Sequence, residues 1–133
     1  MAAQQLEGGY QSIAMLDLNY IFKKNYMGMP RDSEPGAAAQ ATLDQLAGIR
    51  ESVDLVIVCC DSPPYRRKAL FADYKAQRER PDDAEVSQKR WLMDRIQKDG
   101  YQIARAKGFE ADDIIFTLCK AYHWCQDVRI VAS

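Results

Sequence analysis

The stretch from Val53 to Cys60 constrains the fold more than any other. Val53, Leu55, Val56, Ile57, Val58, Cys59 and Cys60 form an almost unbroken apolar run that stops on Asp61 and is broken by Ser62-Pro63-Pro64. A strand with one wet face alternates polar and apolar residues; one this continuously apolar has both faces covered, as in a parallel sheet between helices. Ser12-Ile13-Ala14-Met15-Leu16 repeats the pattern and delivers Asp17 at its end.

The remaining segments fit the same frame. Tyr20 to Tyr26 reads as a short helix, and Met27 to Gly36, with two prolines and two glycines, as a loop. Ala37 to Arg50 has apolar residues at helical spacing. Tyr65 to Arg80 is helical in composition and strongly basic, and Ala84 to Asp99 forms a further helix closed by Gly100. Tyr101 to Ala106 predicts a short strand, the segment from Asp112 to about Trp124 a helix, and Val128 to Ala132 a last strand. Counting Tyr20 to Arg50 as one helical crossover, the order β-α-β-α-α-β-α-β predicts an α/β domain: a parallel sheet flanked by helices.

In such sheets ligands bind at the carboxyl ends of the strands. Asp17, Asp61 and the group Glu110, Asp112 and Asp113 all arrive there. Gly108-Phe109-Glu110-Ala111-Asp112-Asp113 precedes an apolar helical segment, and acidic residues in a first turn also complement the helix dipole. Glu110 and Asp113, at i and i+3, share a helix face beside Asp112, and like charges so close repel unless a cation lies among them. Hard oxygen donors suit Mg²⁺ or Mn²⁺.

The 133 residues, 47% hydrophobic and 28% charged, are enough for one globular domain with a real core. Met1 to Gln11, loosened by Gly8-Gly9, reads as a disordered start, and residues 12–133 as the domain. No apolar run approaches the roughly 20 residues of a membrane span, and the start has no secretory pattern; a cytoplasmic location is expected. Cys59, Cys60, Cys119 and Cys125 contain no C-x-x-C pair, so buried thiols are expected rather than zinc ligands. The net charge of −1 hides an asymmetry: residues 64–107 hold 12 Lys/Arg against 7 Asp/Glu, or +5, leaving −6 elsewhere. A basic middle beside an acidic edge suits a polyanion-binding face next to a cation site. A solvated helical surface accounts for the charge equally well.

Asp61 with Arg67, then Asp73-Tyr74-Lys75-Ala76-Gln77-Arg78, then Gly108-Phe109-Glu110-Ala111-Asp112-Asp113, resembles the 5′-3′ exonuclease and flap endonuclease family, over about Ser12 to Ser133. The resemblance implies a PIN-like (resolvase-like) three-layer domain and metal-dependent hydrolysis of phosphodiesters in DNA with 5′ single-stranded ends or flaps. It implies Asp17, Asp61, Glu110, Asp112 and Asp113 as metal ligands or supporting carboxylates, Asp17 and Asp61 being catalytic with Lys75. Two Mg²⁺ (or Mn²⁺) about 4 Å apart activate a water and stabilise the departing oxygen in such sites. Lys75 is implied as a contact to the scissile phosphate, with Arg67, Tyr74 and Arg78 on the nucleic acid. The basic region, about 64–99, corresponds to the family's helical arch. Tyr20 and Phe22 offer a stacking surface for bases, with core packing the alternative for Phe22.

The sequence departs from the family pattern at Leu18, where glycine usually follows the first aspartate. The later aspartates of the second metal site and the duplex-gripping helical module have no counterpart here. The expectation is an N-terminal half with an incomplete two-metal site, its C-terminal half carried elsewhere and the 133-residue chain itself inactive or weakly active. A catalytically silent DNA-binding fragment and a PIN-type ribonuclease are the alternatives. A phosphoacceptor receiver domain fits less well, because it needs its acidic pair after the first strand.

Overall fold

The computed structural model describes residues 11–30, 32–62 and 82–132. Among them, strand β1 (Ser12–Asp17) leads into helix α1 (Leu18–Gly28) and helix α2 (Ala37–Ser52). Strand β2 (Leu55–Cys59) follows, then α3 (Asp83–Lys98), β3 (Gln102–Ala104), α4 (Ala111–Ala121) and β4 (Asp127–Val131). The expected elements are present within a few residues, except that the basic helix expected over 65–80 and the disordered start lie outside the described residues. Helix α1 begins two residues earlier than the sequence suggests, because Asp17 caps it directly.

All strand pairs are parallel and the sheet order is β3-β2-β1-β4. Side chains alternate across the sheet with period two. Ala14, Leu16, Val56 and Val58 face α1, α2 and α3 in one core with Phe22, Leu43, Leu46, Leu92 and Ile96. Ile13, Met15, Ile57 and Cys59 face the opposite way, onto Ala111, Ile114 and Ile115 of α4. Both faces of β1 and β2 are therefore covered, which is why these strands carry no polar alternation. The chain runs outward from β1 to β2 and β3, then returns to place β4 on the other side of β1. This reversal opens a crevice at the carboxyl end of β1, the usual ligand position in such sheets.

Two backbone hydrogen bonds fasten the loops at that end. Gly108 donates to the Ser62 carbonyl at 2.7 Å, and Ser62 donates to that of Phe109 at 3.0 Å. Gly108 adopts φ +86°, a left-handed conformation that a residue with a Cβ takes only under strain. The turn sets the start of α4 against Asp61.

The thiols follow the layers. Cys59 has no exposed surface, and burial, with Cys60 and Asp17 close by, pushes its thiol up to about 12. A folded-state value above the unfolded one adds stability that is complete below pH about 8.5–9 and is lost as pH rises toward 12. Thermal melts should therefore fall progressively above pH 9. Alkylation followed by mass spectrometry should label the half-buried Cys119 and Cys125 in the native protein long before Cys59. Prompt native labelling of Cys59 would contradict this packing.

Candidate metal and nucleic-acid site

Asp17 closes β1 and caps α1, its Oδ1 accepting from the Tyr20 N–H at 3.2 Å. The carboxylate is 8% exposed, since the same turn that caps the helix draws it under the sheet edge. Asp61 follows β2 and accepts from two directions. Its Oδ1 takes the Ala111 N–H at 2.7 Å, and its Oδ2 takes the side-chain amide of Asn19. One carboxylate thus ties the start of α4 to the first turn of α1. Glu110 caps α4 in a reciprocal capping box: its side chain accepts from the Asp113 N–H, and Asp113 Oδ2 accepts from the Glu110 N–H at 3.1 Å. Asp112, beside them in the first turn of α4, is exposed.

The charges at this edge act on one another. Burial raises the Asp17 carboxyl above its ordinary value; the Tyr20 N–H opposes this, and repulsion from Asp61 and Asp112 adds to it. Lys89 of α3 answers from the other side, its ammonium donating to Asn19 Oδ1. The orientation of Asn19 is fixed by its partners, because an ammonium only donates and a carboxylate only accepts. A directed chain runs from Lys89 through Asn19 to Asp61, with the Ala111 N–H closing it. Burial lowers the Lys89 ammonium, while Asp61, Cys60, Glu85 and Asp17 pull it back.

The structure brings Asp17, Asp61, Glu110, Asp112 and Asp113 to one edge, but uses two of them differently from the expected ligand cluster. Glu110 and Asp113 turn toward backbone N–H groups, because the first turn of a helix has donors without intrahelical acceptors. Among the described residues, no group of three or more His, Cys, Asp or Glu side chains is placed to hold a metal ion. Tyr20 is half-buried, with the Lys24 ammonium 5.9 Å from its ring centre. Phe22 is 1% exposed and belongs to the core, so of its two expected roles it is packing that the structure supports. Arg67, Tyr74, Lys75 and Arg78 lie outside the described residues.

Sequence reasoning missed Lys89. The signal for Lys89 was present: Glu85, Lys89, Leu92 and Ile96 fall on one stripe of α3, where Glu85, Leu92 and Ile96 are buried. A charge on such a stripe needs a partner. Glu85 finds Lys23, with both its oxygens 2.9 Å from the ammonium, and Lys89 finds Asn19.

Residues 12–133 match the family model of the 5′-3′ exonuclease, N-terminal resolvase-like domain. The chain belongs to this family. Its fold is similar to the D15 protein of bacteriophage T5 co-crystallised with metal ions, at 18% identity and a TM-score of 0.67, over 92% of this chain and 48% of that one. It is also similar to the T5 5′-exonuclease with bound zinc (20% identity, TM-score 0.61, 90% and 48% covered). A variant of the D15 flap endonuclease, in a pseudo-enzyme-product complex with DNA and metal ions, aligns at 17% identity and TM-score 0.62, over 90% and 47%. The 5′-3′ exonuclease domain of this chain therefore spans about half the length of these solved structures, and shares with them a parallel α/β resolvase-like fold. No curated protein matches it in sequence.

Proposed function

We propose that this domain is the metal-binding part of a nuclease that hydrolyses phosphodiesters in DNA bearing 5′ single-stranded ends or flaps. The observation that carries the reading is the Asp17 carboxyl at the carboxyl edge of the sheet, raised by burial and by the nearby charges of Asp61 and Asp112. A hard divalent cation at this edge would favour the ionised form of Asp17 that burial and its two acidic neighbours oppose. Asp17, Asp61 and Asp112 would hold it, with Glu110 and Asp113 supporting through the capping box. The bound ion, Mg²⁺ or Mn²⁺, supplies an activated water and charge stabilisation at the phosphate. Family membership, and neighbours crystallised with metal ions and DNA, support the reading.

The chain's own residues do the rest. Asp61 sets the first turn of α4, and so Asp112, relative to α1. The basic run with Arg67, Tyr74, Lys75 and Arg78 neutralises the strand's phosphates, Lys75 acting at the scissile one. Tyr20 offers its ring to a base. A DNA-binding role without cleavage is the second reading, favoured by the use of Glu110 and Asp113 in the capping box of α4.

The test is thermal. A cation bound only by the folded state at ten times its Kd adds about 1.4 kcal/mol, several degrees of Tm. Mg²⁺ or Mn²⁺ should raise the Tm of the wild type, and Asp112→Asn should abolish the rise while leaving the metal-free Tm unchanged or higher. No rise with either ion removes the metal site; a metal-free Asp112→Asn protein weakened by more than about 2 kcal/mol makes that carboxylate structural.

A further inference from the structure

A cavity of about 260 Å³ opens beside Asp61, just beyond the carboxyl ends of β1, β2 and β3. It is lined by Asn19, Cys60, Asp61, Lys89, Gln97 and Arg105, among others. This is several times the roughly 30 Å³ share of one water. The polar lining is unlike that of the carboxylate edge next to it. Two cations enter from different elements: Lys89 from α3, and Arg105 from the residue after β3. Lys89 spends one donor on Asn19 and has two more. Arg105 makes no hydrogen bond or ion pair with another described residue, so its guanidinium fork is available. The Asp61 carboxylate shares the lining and offsets one of these two charges, its attraction being one of those that pull the Lys89 ammonium back, so the cavity keeps an excess of one cation.

We propose that this cavity is a phosphate subsite, in which Lys89 and Arg105 together hold one phosphate of the nucleic acid strand next to the carboxylate edge. The proposal rests on the nuclease reading for its ligand, and on the cavity for its place. A guanidinium can engage two phosphate oxygens at once, and an ammonium a third. The side-chain amide of Gln97 adds a neutral donor. A strand anchored here has its neighbouring phosphodiester beside Asp17, Asp61 and Asp112, so the pair of cations fixes the register of the strand relative to those carboxylates. A phosphate contact of this kind positions the strand without reading bases.

The experiment uses the 133-residue chain and two probes. The first is a fluorescently labelled 5′-flap DNA, its binding followed by anisotropy across a salt series without divalent metal. Lys89→Gln and Arg105→Gln should each weaken binding about tenfold. Because both hold the same phosphate, the double variant should flatten the log–log salt slope by about one rather than two. Lys120→Gln, an exposed lysine of α4, should change affinity less than twofold. The second probe is inorganic phosphate, titrated against the Arg105 side-chain NMR signal, which should shift saturably in the wild type and not in Lys89→Gln.

The outcomes separate the two readings. DNA binding that is unchanged in the double variant, or weakened equally by Lys120→Gln, overturns the subsite and leaves the nuclease reading standing. Saturable phosphate binding without DNA binding supports the cavity as an anion site for free phosphate and overturns its nucleic acid role. Neither probe binding overturns both.

Discussion

Replacing Phe22 by alanine is expected to lower the stability of the domain by about 3–5 kcal/mol, the usual cost of emptying a buried aromatic site. The ring is 1% exposed, among the largest fully buried side chains, and its centre lies 5.8 Å from that of Tyr26. It belongs to the core shared by α1, α2, α3 and the sheet, so little can collapse into the gap. A domain of this kind has about 5–15 kcal/mol in total, so the loss should shift the Tm by on the order of 10–20 °C or leave the chain unfolded at 37 °C. Tyr20, two positions earlier and half-buried, should behave differently. Tyr20→Ala should cost about 1–2 kcal/mol in stability and, on the proposed function, weaken single-stranded DNA binding by roughly one stacked base, 1–3 kcal/mol. Denaturant melts and DNA titrations on both variants separate the roles. A Phe22→Ala protein as stable as wild type would mean that the ring is not core.

The contrast between neighbours such as Phe22 and Tyr20 shows what the sequence could disclose. Continuous apolar runs at 12–16 and 53–60 announced strands covered on both faces, and the fold followed from their order with the helices. The acidic residues were legible because each stands directly after a strand or before a helix, where local rules place it. Glu110 and Asp113 show the limit of such rules: the i, i+3 spacing that puts two carboxylates on one face is also the spacing of a capping box, and the backbone donors of α4 settled between them. The link from Lys89 to Asn19 to Asp61 spans 70 and 42 residues of chain. No local pattern encodes it; only the packing of α3 against α1 and the end of β2 brings the three together. Arg105 was invisible for the same reason, being an ordinary surface arginine until the cavity beside β3 is known.

The polarity of that link leads to a sharper expectation for Asp61. As a carboxylate it accepts from both Ala111 and Asn19; asparagine in its place has one acceptor and one donor. If the new oxygen faces Ala111, the new amide meets the amide of Asn19, donor against donor. Asn19 cannot turn over to relieve this, since its oxygen is held by the Lys89 ammonium, which only donates. If residue 61 turns over instead, its amide meets the N–H of Ala111, a residue with no exposed surface. Either way one part-buried donor is stranded, so Asp61→Asn should cost about 1–2 kcal/mol, partly offset by relief of repulsion at Asp17. Asp112→Asn, which removes the same charge from an exposed position, should cost nothing. Lys89→Gln supplies an end to the chain that can accept as well as donate. In the double variant residue 61 still accepts from Ala111, while both side-chain bonds reverse: residue 61 donates to Asn19, and Asn19 donates to residue 89. A double-mutant cycle in denaturant should therefore show Asp61→Asn and Lys89→Gln to be non-additive by about 1 kcal/mol, the pair being more stable than the sum of singles implies. Additivity within about 0.3 kcal/mol would mean that Asn19 does not couple the two charges.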